Sequence, residues 1–337
     1  MDEDQDDFIG QYNNGNRAFL QAFLARGTMT FKAAQPILAA IFTEQENAPT
    51  EPGQITQEDF DSYVSAASAA VSPFDLEIRS AMHQMRRERV YALVNTTSDP
   101  MTQLATLHSA DEIAFVKRVI DAMFEKYNTP RIEALCLDDM QANKLRVPPP
   151  PDDDEEHGEN GTGAQGEDGE AQSQAPKALK SSEVETVMRS MVDEGWFERS
   201  RDGFYCLSAR ALLELRSWLL ESYNDPDAED GEWQRVKFCE ACKDVVTIGQ
   251  RCAERDCLAR LHDNCAEAFF RTRRQRACPA CAKEWTGGHF VGERAVTETE
   301  AYQRGRRRSG KKARRSNVAE ETMNGAEEEE GEDEDGD

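Results

Sequence analysis

The chain has 337 residues, 38% of them hydrophobic, and a formal charge of -25 from 65 acidic and 40 basic side chains. Segments 1–7, 152–170 and 320–337 hold five, nine and eleven acids with no Lys or Arg among them; that accounts for the whole excess, so the remainder is near neutral and charge does not exclude a nucleic-acid partner. No run reaches 18 apolar residues and the start MDEDQDD is acidic, so neither a membrane span nor a secretory leader is expected, and in a reducing compartment the nine cysteines should not pair as disulfides.

Residues 1–9 are expected to be acidic and disordered. Phe19, Leu20, Phe23 and Leu24 form the apolar stripe of a first helix, a second follows around Ile37, Leu38 and Ile41, and Phe60, Tyr63 and Val64 suit a third. Phe74, Leu76 and Ile78 then alternate like a half-buried strand, and the charged stretch 86–89 separates it from the apolar run 90–94. Three helices and a two-stranded hairpin describe a winged helix over 10–108. Ser109 and Glu112 suggest a capping box that opens a connecting helix over 109–128, with Ile113, Val116, Ile120 and Met123 on one stripe.

A second winged helix is expected over 129–224, with residues 132–137 as its first helix. Four prolines at 148–151 introduce a polar, acidic insert at about 148–178 that cannot build a core and is expected to be disordered within that unit. Ser182 and Glu185 look like the capping box of the next helix, whose Val184, Val187, Met188, Met191 and Val192 recur at helical spacing up to Gly195. Residues 196–199 and 204–207 flank an Asp-Gly turn as a short hairpin, and Ser208 begins a helix with Leu212, Leu215, Trp218 and Leu219 on one face. An acidic linker over 225–235 leads to a cysteine-rich module over 236–290, and the tail 297–337, basic and then acidic, is expected to be disordered. The fold class is therefore mainly α with small β hairpins.

Seven of the nine cysteines lie between Cys239 and Cys281, in the pattern C-x2-C-x9-C-x4-C-x4-H-x2-C-x12-C-x2-C. Eight thiolate and imidazole donors fit two tetrahedral zinc ions, because a pair spaced by two residues is presented to one metal by one tight turn. Interleaved use gives one site from Cys239, Cys242, His262 and Cys265, and a second from Cys252, Cys257, Cys278 and Cys281. Such a cross-brace suits 43 residues with few large apolar side chains, since structural zinc contributes roughly 10 to 16 kcal/mol of apparent binding energy per site in small finger peptides. The order C4HC3 is common to RING modules, which recruit ubiquitin-conjugating enzymes, and PHD fingers, which read histone tails. PHD fingers usually place an aromatic two residues before the seventh ligand, where Arg276 stands here. RING modules usually place proline directly after it, where Pro279 stands.

With these motifs in place the chain resembles the non-structural maintenance of chromosomes element 1 family, a variant-RING subunit of the five/six structural-maintenance-of-chromosomes complex. The resemblance rests on FLQAFLARG, on ALVNTTSDPMTQLAT at 92–106, on VMRSMVDEGWFERSRDGFYCLSARALLELRSWL at 187–219 and on CPACAKEW at 278–285. It implies two tandem winged helices followed by a C4HC3 RING, a nuclear, chromosome-associated role in DNA repair and recombination, a MAGE-type partner, and ubiquitin ligase activity dependent on that partner. A RING has no nucleophile, so no catalytic residue is expected. Ala241, Phe269, Phe270 and Pro279 are the expected contacts to a conjugating enzyme. Ala241 stands where a bulky aliphatic is usual and Lys283 is the nearest basic residue after Cys281, so recruitment should be weak without the partner. The alternative is a non-catalytic scaffold or PHD-like reader built on the same zinc module.

The remaining signals have plainer readings. Cys136 and Cys206 sit in apolar patterns as core thiols. His83 and His108 read as ordinary surface or core residues. His289 lies beyond the last cysteine and could replace His262 as a ligand only against the better spacing. Arg86, Arg87 and Arg89 mark a hairpin tip whose plainer reading is solvation and whose alternative is contact with a phosphate backbone. Arg306, Arg307, Arg308, Lys311, Lys312, Arg314 and Arg315 fit a nuclear import signal better than the alternatives, a nucleic-acid arm or a solvated tail, and DNA binding is expected only through the complex.

Overall fold

The computed structural model describes residues 12–96, 107–149 and 176–309, apart from 230 and 274. The expected acidic start, most of the insert, the stretch 97–106 and the import residues from Lys311 onward lie outside the described residues.

The first unit begins with α1 (Asn14–Leu24), whose Asn13 side chain accepts from Asn16 N at 3.1 Å, and β1 (Thr28–Thr30). Thr30 caps α2 (Phe31–Glu46), and a Thr56/Asp59 capping box opens α3 (Gln57–Val71). Strands β2 (Leu76–Met82) and β3 (Arg89–Asn95) follow, in an antiparallel sheet of order β1-β3-β2. The three helical stripes meet as expected in a core of Phe19, Phe23, Leu38 and Phe60, with Tyr91 of β3 edge-on to Phe60 at 4.9 Å. Phe74 departs from the expected alternation. It lies in a 3-10 turn, Ser72–Phe74, and is 73% exposed, because Asp75 at φ 57 turns the chain before the strand begins.

The second unit starts earlier than expected. Helix α4 (Ala110–Asp121), capped by Ser109 and Glu112, runs into a π turn over Ala122–Lys126. Its Phe115, Val116, Val119 and Ile120, with Met123 and Phe124 of the turn, are all buried in the second unit's core, so the helix is a core element and not a connector. Residues 132–137 are not helical. Leu135 adopts φ 48, Asn128 bridges Glu133, and the segment ends in β4 (Leu137–Asp138). After α5 (Asp139–Lys144), helix α6 (Ser181–Asp193) begins before the expected cap: the Glu183 carboxylate accepts from Lys180 N at 2.7 Å. The hairpin β5 (Phe197–Arg199) and β6 (Phe204–Leu207) forms as expected and joins β4 in the order β4-β6-β5. Ser208 caps α7 (Ala209–Glu214), but the helix breaks at Leu215 before α8 (Arg216–Tyr223).

The linker is no free tether, since Asn224 Nδ2 donates to Val236 O at 2.9 Å and Val236 N to Asn224 Oδ1 at 2.8 Å, tying its two ends together. The zinc module then contributes β7 (Gly249–Arg251), β8 (Arg260–Leu261), α9 (Asp263–Arg271) and β9 (Phe290–Val291). Gly249 is required where β7 meets β8, because a Cβ there would lie 2.4 Å from Leu261 O. Two further helices, α10 (Glu293–Thr297) and α11 (Glu300–Ser309), correct the expectation of a tail disordered from 297. Tyr302 is the cause. Its buried ring packs beside Phe204 of β6 at 6.4 Å, so one aromatic anchors an otherwise polar helix. Val296 and Tyr302 belong to one continuous core that runs from α4 through the module, whereas the first unit has its own.

Candidate metal centre

Both four-residue sets assemble as the interleaved spacing requires. Cys239, Cys242, His262 and Cys265 bring their ligand atoms within 4.8 Å of one another, and so do Cys252, Cys257, Cys278 and Cys281. Within the first set, His262 Nδ1 lies 3.3 Å from Cys242 Sγ and 3.8 Å from Cys265 Sγ. In the second, the Cys252–Cys281 and Cys257–Cys278 sulfurs are each 3.5 Å apart. These spacings match the edges of a tetrahedron with zinc–sulfur bonds of about 2.3 Å. The first set offers three thiolates and an imidazole, the second thiolates alone; both are soft and suit zinc.

The two C-x2-C turns share one local design. In the first, Lys243 at φ 63 donates its N–H to Cys239 O at 2.9 Å; in the second, Ala282 at φ 60 does the same to Cys278 O at 3.0 Å. A left-handed residue directly after each pair curls the chain back so that both sulfurs face one point. His262 stands just before α9, which also carries Cys265 in its first turn. The ring nitrogen facing away from the thiols, Nε2, lies 3.1 Å from Val245 O. That bond makes Nε2 the donor and leaves Nδ1 free for metal. Hydrogen bonds from Cys242 and His262 lower the Cys239 thiol, while burial raises Cys265. Metal binding must therefore displace protons from the thiols that remain neutral.

The other candidate residues are placed as follows. Ala241 and Pro279 are exposed and Phe269 is half-buried, with the Arg273 guanidinium 4.0 Å over its ring. Phe270 does not belong with them. It is 6% exposed and packs on Trp285 with ring centroids 5.6 Å apart, because adjacent residues on a helix point about 100° apart and only one can face solvent. Lys283 forms an ion pair with Glu254, a half-buried residue within the wide C-x4-C turn. His289 is exposed and outside both clusters. Cys136 and Cys206 are buried thiols, and burial pushes Cys206 up to about 12. Arg306, Arg307 and Arg308 fall within α11.

His83 is buried and His108, itself half-buried, keeps its ring covered; both are paired, His83 Nε2 with Glu198 at 3.0 Å and His108 Nε2 with Glu194 at 2.9 Å. The tip between β2 and β3 is not simply solvated. Arg87 pairs with Glu267 of α9, Arg86 with Glu88 and Glu198, and Asn264 Nδ2 donates to the carbonyls of His83 and Gln84 at 3.3 Å. Two residues that brace the module went unnoticed in the sequence. One is Gln84 at that tip; the other is Glu133, buried among Arg260, Lys237 and Arg251 of the module. The available signal was slight, a lone acid inside the apolar stretch RIEALCL and an uncharged polar pair between Met82 and Met85.

Residues 16–215 match the model of the Nse1 family, described as the Nse1 non-SMC component of the SMC5-6 complex, and residues 239–281 match a RING-like domain. The chain belongs to the Nse1 family. Among relatives, the Xenopus tropicalis non-structural maintenance of chromosomes element 1 homolog is 22% identical over 82% of this chain and 84% of its own length, and the human homolog 20% over 82% and 86%. The Schizosaccharomyces pombe protein of that name is 21% identical over 65% of this chain and 74% of its own. A solved structure titled "Nse1-Nse3-Nse4 complex" contains a chain with the same fold, at TM-score 0.59 and 21% identity, covering 81% of this chain and 97% of that one. An Nse1 chain with a RING-like module and two four-ligand clusters takes two zinc ions.

Proposed function

We propose that this Nse1-family chain is the RING-type ubiquitin ligase subunit of its chromosome-maintenance complex, holding a charged conjugating enzyme in a reactive geometry. It contributes positioning rather than a nucleophile, which is how a module without a catalytic side chain accelerates transfer. The observation that carries the reading is that Ala241 and Pro279 are exposed and Phe269 is half-exposed on the zinc module although the first unit's hairpin is docked against α9. In this reading the two helix-and-sheet units, the second of them beginning with α4 at Ala110, are winged helices that bind a MAGE-type partner. The chain acts in the nucleus in DNA repair and recombination, reaches DNA through the complex, and is imported by the basic residues between Arg306 and Arg315. No described helix is long and apolar enough to cross a membrane.

Ubiquitin discharge from a charged conjugating enzyme, measured with the chain alone and with the MAGE-type subunit, tests this directly. Faster discharge in the pair supports the ligase. A second reading, a scaffold without ligase activity, is favoured by the small Ala241 and by the engagement of Lys283 with Glu254, which leaves the position of a linchpin without a free fork of donors. Discharge at the background rate in both samples would establish it.

A further inference from the structure

We propose that Gln84, at the tip of the first unit's hairpin, is a positioning residue of the zinc site formed by Cys239, Cys242, His262 and Cys265. The metal centre is then completed by a side chain 161 residues away from the backbone it holds.

The geometry is specific. Gln84 is buried, and its Oε1 accepts from Thr247 N at 3.0 Å and Ile248 N at 2.7 Å while its Nε2 donates to Val245 O at 3.2 Å. One amide thus satisfies three backbone groups of the segment that follows the first C-x2-C turn, and Thr247 is itself buried. Val245 O is the same atom that accepts from His262 Nε2 at 3.1 Å. The ring's orientation depends on where that carbonyl stands, and Gln84 holds it from the oxygen side while Val246 N, in the same peptide unit, donates to Lys237 O at 2.9 Å. Such outer partners fix a histidine's tautomer and typically govern metal affinity by roughly 10- to 100-fold.

The tip is preorganised for this task. Met85 N and Arg86 N both donate to His83 Nδ1 at 3.1 Å, and His83 Nε2 is anchored on Glu198, which rigidifies the turn carrying Gln84. Asn264, next to the ligand Cys265, grips the tip's carbonyls in return. The second zinc site is braced by a different unit. Arg251 Nη1 donates to Pro130 O at 2.7 Å, and Arg260, bound to Glu133, donates to the carbonyl of Cys257 at 2.6 Å. Disturbing Gln84 should therefore loosen one metal and spare the other.

The test uses the full-length, zinc-loaded chain and reads metal release to a chromogenic chelator, with cobalt substitution to tell the histidine-containing site from the all-cysteine site by their visible spectra. Gln84→Leu should accelerate loss of the ion held by His262 roughly 10- to 100-fold and leave the ion of the all-cysteine site at its original rate. Gln84→Glu keeps the acceptor for the Thr247 and Ile248 amides and should fall between Leu and wild type. Arg87→Ala, which removes the exposed pair with Glu267 but touches nothing at Val245, should release both ions at the wild-type rate. Release from Gln84→Leu at the wild-type rate, equal acceleration of both ions, or an effect of Arg87→Ala as large as that of Gln84→Leu would each overturn the proposal. The measurement rests on the two-zinc centre and reads no ligase activity, so its failure and that of the ligase reading are separate events.

Discussion

Replacing Glu133 is the sharpest probe of how the module is held. Its carboxylate is buried and takes a two-point contact from Arg260, through Nε at 2.7 Å and Nη2, with Lys237 Nζ at 3.1 Å and Arg251 Nη1 at 3.5 Å. Burial alone would raise the acid, but the Arg260 hydrogen bonds and the three cations outweigh it and hold the carboxyl at about 2 against an ordinary 4.5. A depression of that size contributes about 3 kcal/mol, present above pH 4.5 and lost as pH falls toward 2. Glu133→Ala at pH 7 removes it and strands three buried cations, for which the expected cost is likewise about 3 to 5 kcal/mol. All four tryptophans, Trp196, Trp218, Trp233 and Trp285, lie in the second unit, the linker or the module, so their fluorescence during heating reports on the shared core and not on the first unit. A loss of about 3 kcal/mol there is a fall of roughly 6 to 12 °C. Lys237→Met removes one cation of three and keeps an apolar stem near Trp233, whose ring lies 4.0 Å from the ammonium, so it should cost under about 1 kcal/mol. A fall of less than about 2 °C for Glu133→Ala, or equal losses in the two variants, would refute this account of the cluster.

Other expectations follow from the same geometry. Metal analysis of the purified chain should return two zinc ions, and His262→Ala should lose the ion of its own site together with the module's fold while the first unit stays folded. Ala241→Ile adds about three methylene-sized groups at roughly 0.8 kcal/mol each to the enzyme-facing surface and should raise discharge by the chain alone more than tenfold; Pro279→Ala should lower that of the complex without releasing zinc. Phe270→Ala should instead destabilise the module by about 3 to 5 kcal/mol, as expected of a buried aromatic on Trp285. Tyr302→Ala should expose α11 to limited proteolysis after its arginines, which intact packing on Phe204 protects.

The zinc ligands were legible because the information is local: a pair two residues apart has only one tight turn available, and the interleaved grouping in the structure is the one the spacing favoured. Helices in the first unit were legible for the same reason, through apolar stripes and caps such as Thr56 with Asp59. Residues 132–137 misled, since Ile132, Leu135 and Cys136 recur at helical spacing, yet Glu133 must reach Arg260 and Leu135 takes φ 48 to let it. Tertiary demand overrode the local pattern there. Gln84 and Tyr302 were invisible for a related reason. A polar or aromatic residue in a charged stretch is read as exposed until its partner is known, and the partners here are 161 residues away for Gln84 and on β6 for Tyr302.

The distribution of these contacts has a physical logic. The module is joined to the second unit by a continuous apolar core but meets the first unit's tip through the amide of Gln84, the side chain of Asn264 and the pair of Arg87 with Glu267. The exposed pair contributes under about 1 kcal/mol. The buried amide matters through what its absence would cost, because two backbone N–H groups would lose an acceptor and the carbonyl shared with a zinc ligand would lose one of its two donors. An apolar tip could have held the units together as firmly, but it could not have set the position of the Val245 carbonyl. Placing a hydrogen-bonding side chain there links the first unit's docking to the geometry of a metal site, so a variant that separates the two should be recognisable by metal release before any loss of helix or sheet is measurable.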